Sequence, residues 1–158
     1  MNSAPWETEP LRWEGEASGF PILAIRHEEM GNWTGYVGLP HGHPCHGANY
    51  TCPTLSSLDV HGKLTFSNVG DDLRPSGWWW VGFDCGHAGD FIPAIMEIGL
   101  NGVASVFADC VYRDLQFVQT ELTSLAAQLA VIFPYQGPAI PWGPREMDPM
   151  VEGGEFEW

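Results

Sequence analysis

A chain of 158 residues with 44% hydrophobic content is one domain's worth, with enough apolar material for a real core, and its 13% aromatic content argues against wholesale disorder. Twenty acidic residues against six basic ones give a net charge of −14, which repels nucleic-acid backbones and anionic membranes and makes direct nucleic-acid binding a poor fit. No apolar run reaches the length of a membrane span, and the start MNSAPWETEP lacks the basic and apolar regions of a signal peptide, so the four cysteines are expected as reduced thiols in a cytosolic setting.

The first predicted strand is FPILAIRH, residues 20–27, apolar and β-prone. NWTGYVGL, 32–39, predicts the second. It places Trp33, Gly35, Val37 and Leu39 on one face and Thr34, Tyr36 and Gly38 on the other, after a turn at 28–32. The stretch 40–57, PHGHPCHGANYTCPTLSS, is too rich in Gly, Pro and polar residues for regular structure and reads as a long loop. LDVHGKLTFSN, 58–68, alternates Val60, Gly62, Leu64 and Phe66 against His61, Lys63 and Thr65, the pattern of a half-buried strand.

After the turn VGDDLRPSG, WWWVGFD predicts a further strand with Trp78, Trp80, Gly82 and Asp84 on one face and Trp79, Val81 and Phe83 on the other. Residues 91–111 suggest a short helix after Pro93 and a turn at Asn101-Gly102. The best helix is 112–133: Leu115, Val118, Leu122, Leu125, Ala126 and Leu129 form one apolar stripe, Asp109 or Asp114 suits its start, and Pro134 ends it. Strands gathered before one long amphipathic helix predict an α+β fold: an antiparallel sheet of about four strands with the helix across one face. Residues 1–133 would form this single domain. Residues 134–158 would form an irregular, proline-rich acidic tail in which Trp142, Phe156 and Trp158 hint at docking on the domain.

Two clusters can carry chemistry. HGHPCHGANYTC offers His41, His43, Cys45, His46 and Cys52, residue types suited to zinc but at a spacing that matches no common zinc module; a histidine-rich loop partly lining a cavity is the plainer reading. FDCGHAGD follows a strand, where glycine turns present backbone N–H groups and side chains outward. His87 and Asp90 are spaced to act as an acid–base pair, the carboxylate fixing the imidazole tautomer. If strands 58–68 and 77–84 pair as a hairpin, His61 arrives beside them. His61, His87 and Asp90 are therefore the expected catalytic set, with no metal required and zinc the one cofactor the residue types admit. Tyr36, His43, Trp78, Trp80, Asp84 and Cys85 are the expected ligand-contacting set, the indoles stacking a base. The bland alternatives are a tryptophan core wall, a surface histidine at 61 and a buried, inert Cys85.

GYVGLPHGHPCHG, VHGKLTFS, WWWVGFDCGHAGDF and YRDLQFVQTELTSLAAQL together resemble, in order over about residues 33–130, an uncharacterised family of small tailed-phage proteins with the motifs GYVGxPxGHP, VHGGLTY and WWxGFDCAHxGD. The resemblance implies a phage accessory protein acting in the cytoplasm of an infected bacterium. It places His43, His61, Cys85, His87 and Asp90 at motif positions and implies no activity. Lys63 stands where the motif has a second glycine, and Cys45, His46 and Cys52 fall outside it.

Three functions are expected candidates. The first is an accessory or counter-defence protein that binds or hydrolyses a small phosphate-bearing or nucleotide-like ligand. The second is an acidic mimic of nucleic acid that inhibits a basic host protein such as a nuclease. The third is a virion structural protein.

Overall fold

The computed structural model describes residues 4–94, 110–134 and 141–142. Five strands form one antiparallel sheet in the order β1-β2-β3-β5-β4: β1 Arg12–Ala17, β2 Phe20–Arg26, β3 Trp33–Leu39, β4 Phe66–Val69 and β5 Trp79–Asp84. Two single-turn helices, α1 Pro5–Thr8 and α2 Pro53–Ser56, flank it, and the long helix α3, Leu115–Ile132, packs across one face. This is the expected α+β architecture with one strand more.

The extra strand is β1. Its sequence RWEGEA carries two glutamates, which hides it from a search for apolar runs, but an edge strand can expose one face to water. Its hairpin to β2 turns through Ser18 (φ 54) and Gly19 (φ 86), two successive left-handed residues between paired Ala17 and Phe20. That is the two-residue turn whose twist matches the flanking strands. The strand expected over 58–68 is shorter than its alternation suggested. Only Phe66–Val69 is strand, while Val60 and Leu64 are buried from irregular backbone. The expected antiparallel pairing holds, with Phe66 opposite Gly82.

α3 opens with Asp114 as its cap, the carboxylate accepting from Phe117 N at 2.9 Å. Val118, Leu122, Leu125, Ala126 and Leu129 are buried as the apolar stripe requires, against Phe20, Ile22, Trp33, Val37, Val81 and Phe83. The Glu9 carboxylate fastens the start of this helix to the sheet. It accepts from Leu115 N at 2.8 Å, Trp33 Nε1 at 2.9 Å and the Tyr112 hydroxyl at 2.7 Å, a negative charge where the helix dipole favours one.

The other face of the sheet has its own apolar layer: Leu23, Tyr36 and Trp80, with Ile25, Phe66, Trp78 and Trp142 against them. Alternation along β5 thus divides the three tryptophans, Trp79 toward α3 and Trp78 and Trp80 away from it. Gly82, opposite both Tyr36 and Phe66, leaves the space in which those rings meet edge-on at 5.2 Å. The Arg74 guanidinium covers both rings, at 4.6 and 4.7 Å, and pairs with Asp71 at 2.6 Å. Trp142 docks as its sequence hinted: its indole N–H donates to Gly15 O at 2.9 Å and its rings lie 6.0 Å from those of Trp80. The remaining expectations for 95–109, 135–140 and 143–158 lie outside the described residues.

Candidate functional site

The site is built where the β5 end, the turn before β4 and the start of α3 meet. His61 occupies a turn closed by Lys63 N donating to Val60 O at 2.9 Å. That turn is held against α3 from behind. Gln128 exchanges two hydrogen bonds with the Asp59 backbone, both 2.8 Å, and Glu121 accepts from His61 N at 2.8 Å. Glu121 and Gln128 are seven residues apart, two turns along one helix face. The His61 ring then stands edge-on against Phe117, centroids 5.1 Å apart.

The second arm is the loop leaving β5. Cys85 N donates to Trp33 O and Asp90 N donates to His87 O, so 85–90 folds back as a tight turn. Residues 89–91 then pair with Val111 through Val111 N to Gly89 O at 2.8 Å and Phe91 N to Val111 O at 2.9 Å. This pairing carries Arg113 to Asp90.

Asp90 is fully buried. Its Oδ1 accepts from Arg113 Nε at 2.9 Å, its Oδ2 from His87 N at 2.9 Å, and both oxygens lie 3.0 Å from His61 Nε2. Burial pushes the carboxyl pKa upward, but the hydrogen bonds from Arg113, His61 and the His87 N–H outweigh it and hold the group below its ordinary range. An ionised Asp90 fixes the proton of a neutral His61 on Nε2 and leaves Nδ1 with the lone pair.

The His87 ring is half-buried, its centroid 5.8 Å from that of His61. Its Nδ1 faces Asp84 Oδ1 at 3.4 Å and Asp90 Oδ2 at 3.8 Å, is shut off from solvent and makes no hydrogen bond. The ring lies directly over Gly62. A β-carbon there would overlap the imidazole, and φ of +68 is left-handed besides, so glycine is required on both counts. Lys63 is left-handed too, at φ 69, the position where the resembled motif carries its second glycine.

The structure therefore brings His61, His87 and Asp90 together, with Asp84 beside them. Asp84 Oδ1 accepts from Gly86 N at 2.9 Å and its Oδ2 from the Thr65 hydroxyl at 3.3 Å. Cys85 adjoins the cluster in sequence but turns into the core, 1% exposed, its thiol pKa pushed far up by burial and by the charges of Asp90 and Asp84. A thiol in that state is a poor nucleophile.

The other expected contacts are placed elsewhere. Tyr36, Trp78 and Trp80 belong to the apolar layer beneath Arg74 and Trp142, and Trp80 lies about 14 Å back along β5 from Asp84. His43 is 2% exposed, with Nε2 bonded to Leu129 O at 3.0 Å and Nδ1 accepting from Cys45 N at 3.0 Å. Burial lowers its pKa against the pull of the Leu129 carbonyl. It sits at the far end of α3, about 18 Å along the helix from Phe117, and is a satisfied core histidine there.

Sequence reasoning missed Arg113, Glu121 and Gln128. The signal available was indirect: a fully buried aspartate needs a cationic partner, and Arg113 is close to the apolar stripe that must pack nearby.

The donor atoms of His61, His87 and Asp90 all lie within 4.8 Å of one another and could hold a metal ion; among the described residues no other group of three His, Cys, Asp or Glu does so. The loop His41–Cys52 therefore does not assemble such a group; within it His41 and His46 stack at 4.3 Å. Comparison with protein-family models, with curated proteins and with solved structures returned no match.

Proposed function

We propose that the cluster of His61, His87 and Asp90 is the centre of a protein that binds or hydrolyses a small phosphate-bearing, nucleotide-like ligand. The observation that carries this reading is Asp90: a fully buried carboxylate held ionised, with one imidazole on both of its oxygens and a second imidazole facing it. Structural aspartates are rarely so buried with so much ionisable company. His61, with its Nδ1 lone pair free, takes a proton from water as the new oxygen–phosphorus bond forms. Asp90 stabilises the imidazolium that results. His87, protonated, gives its proton to the leaving oxygen as the old bond breaks, so that charge and protons balance across the step. Two histidines in this relation are also a binding site for a phosphate that is held and not cut.

Zinc belongs to the same proposal as the ion that two imidazoles and a carboxylate suit, where it would activate water and neutralise phosphate charge. Given the phage origin that the resemblance implies, host nucleotide signals are the natural ligand class, since a phage gains by removing or sequestering them. Incubation of the purified chain with mono-, di- and cyclic nucleotides, followed by product analysis, tests the reading. New products lost in His87→Ala support hydrolysis, and a nucleotide retained through purification and released intact on denaturation supports sequestration. Neither product nor retained ligand, together with salt-sensitive capture of a basic protein that survives His61→Ala and His87→Ala, overturns it in favour of the acidic-mimic reading.

A further inference from the structure

We infer that the cluster is a three-donor N2O site for a zinc-class divalent ion, with His61 Nε2, His87 Nδ1 and Asp90 Oδ2 as its protein ligands and the fourth position open to water or ligand. The inference rests on the same cluster and deepens the functional reading above by assigning its cofactor: with an ion on both imidazoles, water in the open position would take over the part given there to the free His61 lone pair and the protonated His87. Its basis is a gap. His87 Nδ1 is sealed from solvent and has two carboxylate oxygens near it, yet at 3.4 and 3.8 Å neither is within hydrogen-bonding reach. The Asp84 oxygen stands outside the set of mutually close donors, but the 3.8 Å between His87 Nδ1 and Asp90 Oδ2 is too long for a shared proton and leaves room for an ion. With metal–ligand bonds of about 2.0–2.2 Å, neighbouring donors of a tetrahedral site stand about 3.3–3.6 Å apart, so on binding the His87–Asp90 pair draws in slightly and the His61–Asp90 pair opens. His61 Nε2 completes the set at 3.0 Å from Asp90 Oδ2.

The two oxygens of Asp90 have divided roles. Both lie 3.0 Å from His61 Nε2, but only Oδ1 takes Arg113, while only Oδ2 faces His87, accepting its backbone N–H at 2.9 Å and lying 3.8 Å from its Nδ1. One oxygen for the metal and one for an outer hydrogen bond is how carboxylate ligands are held in orientation, so Arg113 is a positioning residue. Asp84, held by the Gly86 N–H and the Thr65 hydroxyl, stands 3.4 Å from His87 Nδ1 as an outer carboxylate. On binding, the ion displaces the proton of His61 Nε2, which passes through solvent to Nδ1; the imidazole stays neutral. Gly62 belongs to the site because only glycine lets the His87 ring approach its turn. Cys85, although adjacent, faces the core and contributes no sulfur.

The test is cobalt substitution of the intact chain, followed by visible and near-ultraviolet absorption and native mass spectrometry. One ion per chain is expected, with the visible bands of tetrahedral or five-coordinate cobalt and no sulfur-to-cobalt charge-transfer band. His87→Gln should weaken binding by more than the tenfold to hundredfold typical of an outer-sphere change, and Arg113→Gln and Asp84→Asn each by about that amount or less. A charge-transfer band would overturn the assignment by placing the ion on cysteine, as in the His41–Cys52 loop. Failure of the wild type to retain cobalt or zinc would overturn the whole inference. A loss in Asp84→Asn as large as that in His87→Gln would overturn the three-ligand assignment. Should Asp90→Asn not fold, His87→Gln carries the test, because that ring is partly exposed. Nucleotide turnover that persists in chelator would sink the metal and leave the acid–base reading standing. Stoichiometric metal without turnover would do the reverse.

Discussion

At Gly62 two requirements coincide: a left-handed backbone and a ring lying where a side chain would begin. Gly62→Ala should therefore cost about 1–3 kcal/mol of stability through backbone strain and also displace His87. Denaturant melts combined with metal or ligand titration would show whether both are lost together. Asp90→Asn leaves Arg113 without its counter-charge and weakens the acceptor of His61 Nε2, and breaking a buried pair of this kind costs about 3–5 kcal/mol, readable as a shift in the urea midpoint. His43 gives a pH dependence. Its folded pKa lies below the unfolded value near 6.5, so the unfolded chain binds more protons as the solution is acidified. Its contribution to stability is therefore complete above about pH 6.5 and is lost as pH falls toward its depressed folded value. His46, lowered by burial and then by the charges of His41 and His43, acts in the same direction. His43→Gln should flatten the fall in melting temperature between pH 7 and 5 while lowering stability at pH 7. The histidine and aspartate of the cluster could be read from the sequence because catalytic residue types stood at close spacing after a strand. The structural role of His43 could not, since nothing in GHPCHG distinguishes a ring bonded to the Leu129 carbonyl from one facing a ligand.

At the scale of elements, the loop 58–61 is a passenger of α3. Gln128 and Glu121 bind three of its backbone groups, and so a helix that contributes no chemistry sets where His61 stands. Gln128→Ala should remove about 1 kcal/mol from that clamp. The expected outcome is weaker ligand or metal binding with helix content unchanged, measured by titration beside circular dichroism. The alternation of 58–65 suggested a strand because Val60 and Leu64 are indeed buried. Side-chain bonds to α3 replace the ladder there, and a period-two pattern cannot reveal which partner the backbone has chosen. The helix itself was legible to within three residues at its start, since its stripe, its aspartate cap and its terminating proline agree. β1 was not, because the edge position that lets it carry Glu14 and Glu16 also removes the apolar signal. Its Ser-Gly turn was the available clue.

At the scale of the molecule, the sheet is apolar on both faces, and α3 covers only one. Arg74, the rings it overlies and Trp142 close the second. Trp142→Ala should cost about 3 kcal/mol or more and make the Leu23, Tyr36 and Trp80 layer accessible to an apolar dye. The cluster of His61, His87 and Asp90 lies on the α3 side, so its ligand affinity should be unchanged in that variant. The stacked indoles expected beside the acid–base groups are accounted for by this second layer. Three consecutive tryptophans on a strand must divide between two faces, and here both faces are hydrophobic.

The Trp80–Trp142 pair has an optical consequence. Two indoles 6.0 Å apart with their planes inclined by 31° form coupled chromophores, and coupling of this kind yields a paired positive and negative band in far-ultraviolet circular dichroism. Docking of Trp142 thus carries its own spectroscopic label. Its release by heat, denaturant or a binding partner can be followed in the unmodified protein, separately from the melting of α3.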